Sequence, residues 1–182
     1  MTQVNVGMDP RQQPGRRVLS CYPFIHDVRP RFGDLDSLYG HLNNVAIATF
    51  YDDARELLNR TMFGSSTLVT LHFYFVVVQL SIHYLAEVGY PGEYRVGVGV
   101  SRIGTSSMVH SLGLFQGKTC VGLCDTVMVH MTGNEVTPLS AEQRAILETM
   151  SFPAGQRAEK SGFRTRAGLL PGDGADGRRS GA

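Results

Sequence analysis

Apolar residues recur along this chain in two rhythms, and the change from one to the other marks its elements. From Asn43 to Met62 the spacing is helical. On a wheel of about 100° per residue, Ile47, Phe50, Tyr51, Ala54, Leu57 and Leu58 share one face, with Asp52, Glu56, Asn59 and Arg60 opposite. Asp53 and Arg55 fall at the two margins of that face. Asn43 or Asn44 supplies the N-cap, and Gly64 with Ser65 and Ser66 closes the helix. After it the rhythm shortens. Thr70 to Tyr84 opens almost wholly apolar and then alternates Gln79, Ser81 and His83 against Leu80, Ile82 and Tyr84, as a strand does when its burial changes along its length.

Tyr90-Pro91-Gly92-Glu93 reads as a turn, and three further strands follow at Tyr94 to Ile103, Ser107 to Phe115 and Thr119 to Met131. Ser140 with Gln143 opens a capping box for a short last helix ending at Met150. Ahead of the long helix, Tyr22 to Phe32 is a strand with Pro23 and Pro30 near its ends. One strand, one helix and then a run of long strands predicts an α+β fold in which a curved antiparallel sheet wraps a central helix.

Composition bounds this picture without altering it. The chain has 182 residues, enough for one self-sufficient core, with 42% hydrophobic and 18% charged residues. Residues 1–20 read as a flexible arm, 21–152 as the domain, and 153–182, rich in Gly and Arg, as a disordered tail. No apolar run reaches the ~18 residues of a membrane span, and the polar first 17 residues lack a signal peptide's apolar stretch. These features predict a cytoplasmic protein. The tail carries net charge +3 and residues 1–150 carry −2, so the folded part is a poor partner for nucleic acid. The cysteines, Cys21, Cys120 and Cys124, form no CxxC and read as small buried hydrophobes. The histidines show no HxH or HExxH spacing, so no metal and no cofactor is expected.

Candidate chemistry concentrates in Arg31 to Asn44, RFGDLDSLYGHLNN, which sets Asp34, Asp36, Gly40 and His41 just ahead of the helix N-terminus. Unsatisfied N–H groups at a helix start can hold an oxyanion, and a carboxylate beside them can act as base or nucleophile in acyl transfer.

This motif and the order of elements resemble the hot-dog fold of the 4-hydroxybenzoyl-CoA thioesterase family, in its acyl-CoA thioesterase branch. Relatives carry R-x-x-D-x-D-x-x-G-H-V-N-N, and a helix ending in E-E-A-R whose counterpart here is Asp52-Asp53-Ala54-Arg55. Phe75-Val76-Val77-Val78, Ser81-Ile82-His83-Tyr84 and Ile103-Gly104-Thr105-Ser106-Ser107 are similar to later family segments. The resemblance implies hydrolysis of an acyl-CoA thioester, with Asp36 as the working carboxylate and His41 positioning substrate or water. It further implies an oxyanion site near Gly40, Asn43 and Asn44, and an acyl channel lined by Phe75 and Val77 at the interface of a homodimer or homotetramer. Some relatives place the essential carboxylate on the helix, which nominates Asp53. Asp34 is expected to pair with backbone or Arg31. The sequence departs from the family at one point: Asp36 to His41 spans five steps where relatives have four. Two rivals share the motif, an enoyl-CoA hydratase, whose D-x-N-P-x-H has the same five-step spacing, and a non-catalytic acyl-CoA-binding module.

Overall fold

The computed structural model describes residues 9–36, 40–64 and 73–152. Strands β1 (Phe24–Val28), β2 (Phe73–Tyr84), β3 (Tyr94–Ile103), β4 (Ser107–Gln116) and β5 (Thr119–Thr132) form one antiparallel sheet in the order β1-β3-β4-β5-β2. A two-residue β6 (Glu135–Val136) folds back on β5. Helix α1 (Asn44–Phe63) lies against β1, β3 and β4, and α2 (Ala141–Thr149) closes one end with the expected Ser140–Gln143 capping box. This is the expected α+β hot-dog architecture. Residues 65–72, and with them the expected stop at Ser65 and Ser66 and the strand start at Thr70, lie outside the described residues, as does 153–182.

Helix α1 follows the predicted period with its buried face turned. Ile47, Phe50, Tyr51, Ala54 and Leu58 enter the core as expected, whereas Leu57 is 39% exposed and Arg55 and Asn59 are buried. The curved sheet covers more of the helix circumference than the apolar arc supplies. Arg55 enters because its guanidinium pairs with Asp52 one turn earlier while its stem packs inward. The polar side of this seam is left short of partners. Tyr51 Oη, Arg55 Nε, Asn59 Oδ1 and both ring nitrogens of His110 on β4 are buried without a hydrogen bond among the described residues.

The change of rhythm in β2 also has a structural cause. A bulge between Val77 and Gln79 shifts the register against β5, so Leu80, Ile82 and Tyr84 continue the face begun by Phe73, Phe75 and Val77. Strand β2 is a sheet edge, and Val76, Val78 and Leu80 on it are exposed.

The first strand is shorter than the sequence suggests, stopping at Val28 ahead of Pro30 and the 3-10 turn at Phe32–Asp34, and the chain before it also has structure of its own. Residues 10–21 fold as three successive 3-10 turns that lie on the outer face of the sheet, in place of the flexible arm expected there. Arg16 is the fastening. It is 1% exposed and donates to Ser111 Oγ (2.9 Å), Asp125 Oδ1 (2.7 Å), Leu112 O (3.3 Å) and Cys124 O (3.0 Å). Tyr22 Oη donates to Arg16 O at 2.7 Å, and its ring packs on Phe152 from the other end of the domain, 4.7 Å between centroids. Gly97 makes room for this, since a Cβ there would meet Tyr22 Cγ at 2.5 Å.

Candidate active site

The motif folds as a short hairpin stem. Asp34 closes a 3-10 turn at Phe32–Asp34 by accepting the Arg31 N–H on Oδ2 (2.7 Å), the backbone role expected of it. Leu35 and Leu42 then form a bridge, the Asp36 N–H donates to His41 O (2.7 Å), and the Asn43 N–H donates to Asp34 O (2.8 Å). Gly40 turns the chain with φ +71°, a conformation a side chain would strain, and its N–H donates to Asp36 O at 3.2 Å. Ser37 to Tyr39 lie outside the described residues. Asp36 and His41 therefore face each other across the stem, five steps apart in sequence but tied directly through the backbone.

The segment after β2 clamps the other side. The Leu42 N–H donates to Val88 O (2.8 Å), and His41 bridges to Gly89. Together these pieces form an open cavity of about 380 Å³ lined by Asp36, His41, Leu42, Asn43, Asn44 and Glu87. His41 Nδ1 lies 3.5 Å from Glu87 Oε2.

Helix α1 starts on the wall of this cavity, and its first N–H groups can be accounted for one by one. The Asn43 N–H is taken by Asp34 O, and the Ala46 N–H by the N-cap side chain, Asn43 Oδ1, at 2.8 Å. The first intrahelical bond runs from the Ile47 N–H to Asn43 O. Among the described residues, that leaves the N–H groups of Asn44 and Val45 at the positive end of the helix dipole. Of the candidate oxyanion donors, Asn44 is the one whose N–H is not taken up among the described residues, while those of Asn43 and Gly40 are spent on holding the stem.

The remaining candidates lie elsewhere in the chain. Phe75 is half-buried at the far end of α1, its ring 5.6 Å from Phe63 and 5.5 Å from His130, beside a second cavity of about 500 Å³. A 20-residue helix spans about 30 Å, so this end is remote from Asp36 within one chain. Val77 is 39% exposed on the β2 edge strand. Asp53 is exposed on α1 and lines neither cavity. Arg60 and Arg29, cations it could have paired with, go instead to Glu56 and Glu93. Glu87 was not foreseen from the sequence. It lies three residues past β2 with no motif around it, and only the clamp between two distant segments brings it to His41.

Two buried groups off the site are chemically quiet. Burial, joined by the positive charge of Arg55, pushes the His110 imidazole down to about 3, so it is neutral at pH 7. Burial pushes the Cys124 thiol up to about 12, which removes it as a nucleophile.

A stem presenting a carboxylate and an imidazole beside a helix N-terminus is suited to acyl transfer, and the comparisons point the same way. The sequence profile of the thioesterase-like superfamily matches residues 30–147. The chain belongs to the thioesterase-like superfamily. Solved structures share its fold over nearly their whole length. The PA5185 protein of Pseudomonas aeruginosa is 25% identical, with a TM-score of 0.65, covering 76% of this chain and 98% of its own. A thioesterase from Thermus thermophilus, solved with coenzyme A and Zn, is 27% identical with a TM-score of 0.63, covering 71% and 95%. A predicted thioesterase from Bacillus stearothermophilus shares the fold at 20% identity and a TM-score of 0.65, covering 72% and 98%. No curated protein matches the chain. Among the described residues of this superfamily member, no helix is long and apolar enough to cross a membrane.

Proposed function

We propose that this thioesterase-superfamily protein is an acyl-CoA thioesterase of the 4-hydroxybenzoyl-CoA thioesterase type, releasing a free carboxylic acid and CoA. The observation that carries this reading is that Asp36 shares a cavity with the start of α1, whose Asn44 and Val45 N–H groups are not used among the described residues. In the reaction these N–H groups hold the carbonyl oxygen as it gains charge, Asp36 acts as base or nucleophile, and the thiolate leaves.

The reading includes a homodimer, or a tetramer of such dimers, formed through the β2 edge. An exposed apolar edge strand is a template for a second copy, and a two-fold axis across a 12-residue strand sets its Phe73 end against the partner's Tyr84 end. Phe75 and Val77 of one protomer then approach the Asp36 cavity of the other, which supports their place along an acyl channel even though they are remote from Asp36 within one chain.

The test is CoA release from aromatic, short and long acyl-CoAs, run beside hydration of crotonyl-CoA. Asp36→Asn and Asp36→Ala are expected to lower kcat/KM by about 10²–10⁴. Undiminished hydrolysis in both variants refutes the mechanism. Hydration without hydrolysis would make the protein a hydratase, and tight binding without turnover a binding module.

A further inference from the structure

We propose that Glu87 is a positioning residue that fixes the tautomer and orientation of His41 beside Asp36, an inference that rests on the thioesterase reading above. Glu87 lies in a stretch tied down on both flanks. On one side the N–H groups of Leu85 and Ala86 both donate to Val121 O, at 3.0 and 3.2 Å. On the other, Val88 O accepts from the Leu42 N–H, His41 bridges Gly89, and Gly89 O accepts from the hydroxyl of buried Tyr94 at 2.7 Å. With residues 85, 86, 88 and 89 held, the Glu87 side chain lines the cavity, its Oε2 3.5 Å from His41 Nδ1.

This contact contributes little to folding. The Glu87 side chain is 84% exposed, and exposed ion pairs gain little against water and side-chain entropy. Its consequence is chemical. A carboxylate facing Nδ1 keeps the proton on that nitrogen and leaves the imidazole lone pair on Nε2. With Nδ1–H held towards the Glu87 carboxylate, Nε2 is the nitrogen that can accept a hydrogen bond. A water between His41 and Asp36 can give one hydrogen bond to Nε2 and its other proton to the Asp36 carboxylate. As that proton moves, the water oxygen bonds to the thioester carbon, the C–S bond breaks with its electron pair going to sulfur, and the thiolate then takes a proton from Asp36. Glu87 touches none of the reacting atoms, and it acts through His41.

Two measurements test the assignment. Nitrogen-15 spectra of the His41 ring at neutral pH are expected to show the proton on Nδ1 in the native protein and a shift towards the Nε2-protonated form in Glu87→Leu. In kinetics, Glu87→Leu is expected to lower kcat about tenfold with KM little changed, the effect of losing the charge that orients His41. Glu87→Gln, whose amide oxygen can still accept from Nδ1, recovers part of that loss. In a His41→Ala background Glu87→Leu has no further effect, because its partner is already gone. The proposal is overturned if Glu87→Leu leaves both kcat and the tautomer unchanged, or if it costs the same in the His41→Ala background. If the spectra behave as expected but no acyl-CoA is hydrolysed, the thioesterase reading fails while the Glu87–His41 pairing stands.

Discussion

Replacing Arg16 by methionine keeps most of the side-chain volume and removes the charge that fastens the N-terminal turns to the sheet. The native guanidinium is 1% exposed and makes four hydrogen bonds, one of them to Asp125 at 2.7 Å. Taking one member from a buried charge pair costs about 3–5 kcal/mol, because the other charge stays behind without its partner. The Asp125 side chain is 22% exposed and regains some hydration, so the lower end applies, about 3 kcal/mol. For a domain of this size that corresponds to a fall in Tm of about 10 °C. Urea unfolding followed by circular dichroism reads the loss as a lower midpoint at unchanged slope. Adding Asp125→Leu to Arg16→Met is expected to return much of the stability, since apolar side chains can replace a buried pair. The reasoning is refuted if Arg16→Met moves the stability by less than about 1 kcal/mol, the range of an ordinary surface substitution.

Two further outcomes follow from the same structure. His110 titrates near 6.5 in the unfolded chain and near 3 when buried, so between those values only the unfolded state takes up its proton. Its contribution is complete above about pH 6.5 and is lost as the pH falls towards 3, by up to about 1.4 kcal/mol per unit. His110→Leu removes this dependence along with two unpaired nitrogens, so urea midpoints at pH 7.5 and pH 5 should lie closer together than in the native protein; an unchanged gap sinks the argument. On the β2 edge, Val76→Lys combined with Val78→Lys puts charge on exposed apolar positions, and light scattering is expected to report half the native mass. An unchanged mass would refute the proposed β2-edge dimer.

The parts of the fold that were legible in the sequence are those where local spacing and burial agree. Helix α1, the Asn43 cap, the three strands after Glu93 and the last helix follow from periodicity and capping residues. Where a partner distant in sequence decides the outcome, the pattern misleads. Leu57 belongs to the apolar arc and Asn59 to the polar one, yet the wrap of the sheet leaves Leu57 partly exposed and buries Asn59. Arg16 sits among Pro, Gly and Arg and reads as solvated, because nothing local shows that Asp125 waits 109 residues later. At the site, Asp36, His41, Asn43 and Asn44 converge as the motif suggests, whereas Glu87 joins through a clamp that no spacing encodes.

The hairpin stem that carries Asp36 and His41 also changes what loop length means for this site. Its cross-links run Leu35 to Leu42, Asp36 to His41 and Asp34 to Asn43. The register of Asp36 against His41 is therefore set by these rungs and not by the number of residues between them. A substitution that breaks one of these rungs, at Leu35 or Leu42 for instance, thus reaches Asp36 and His41 without touching either.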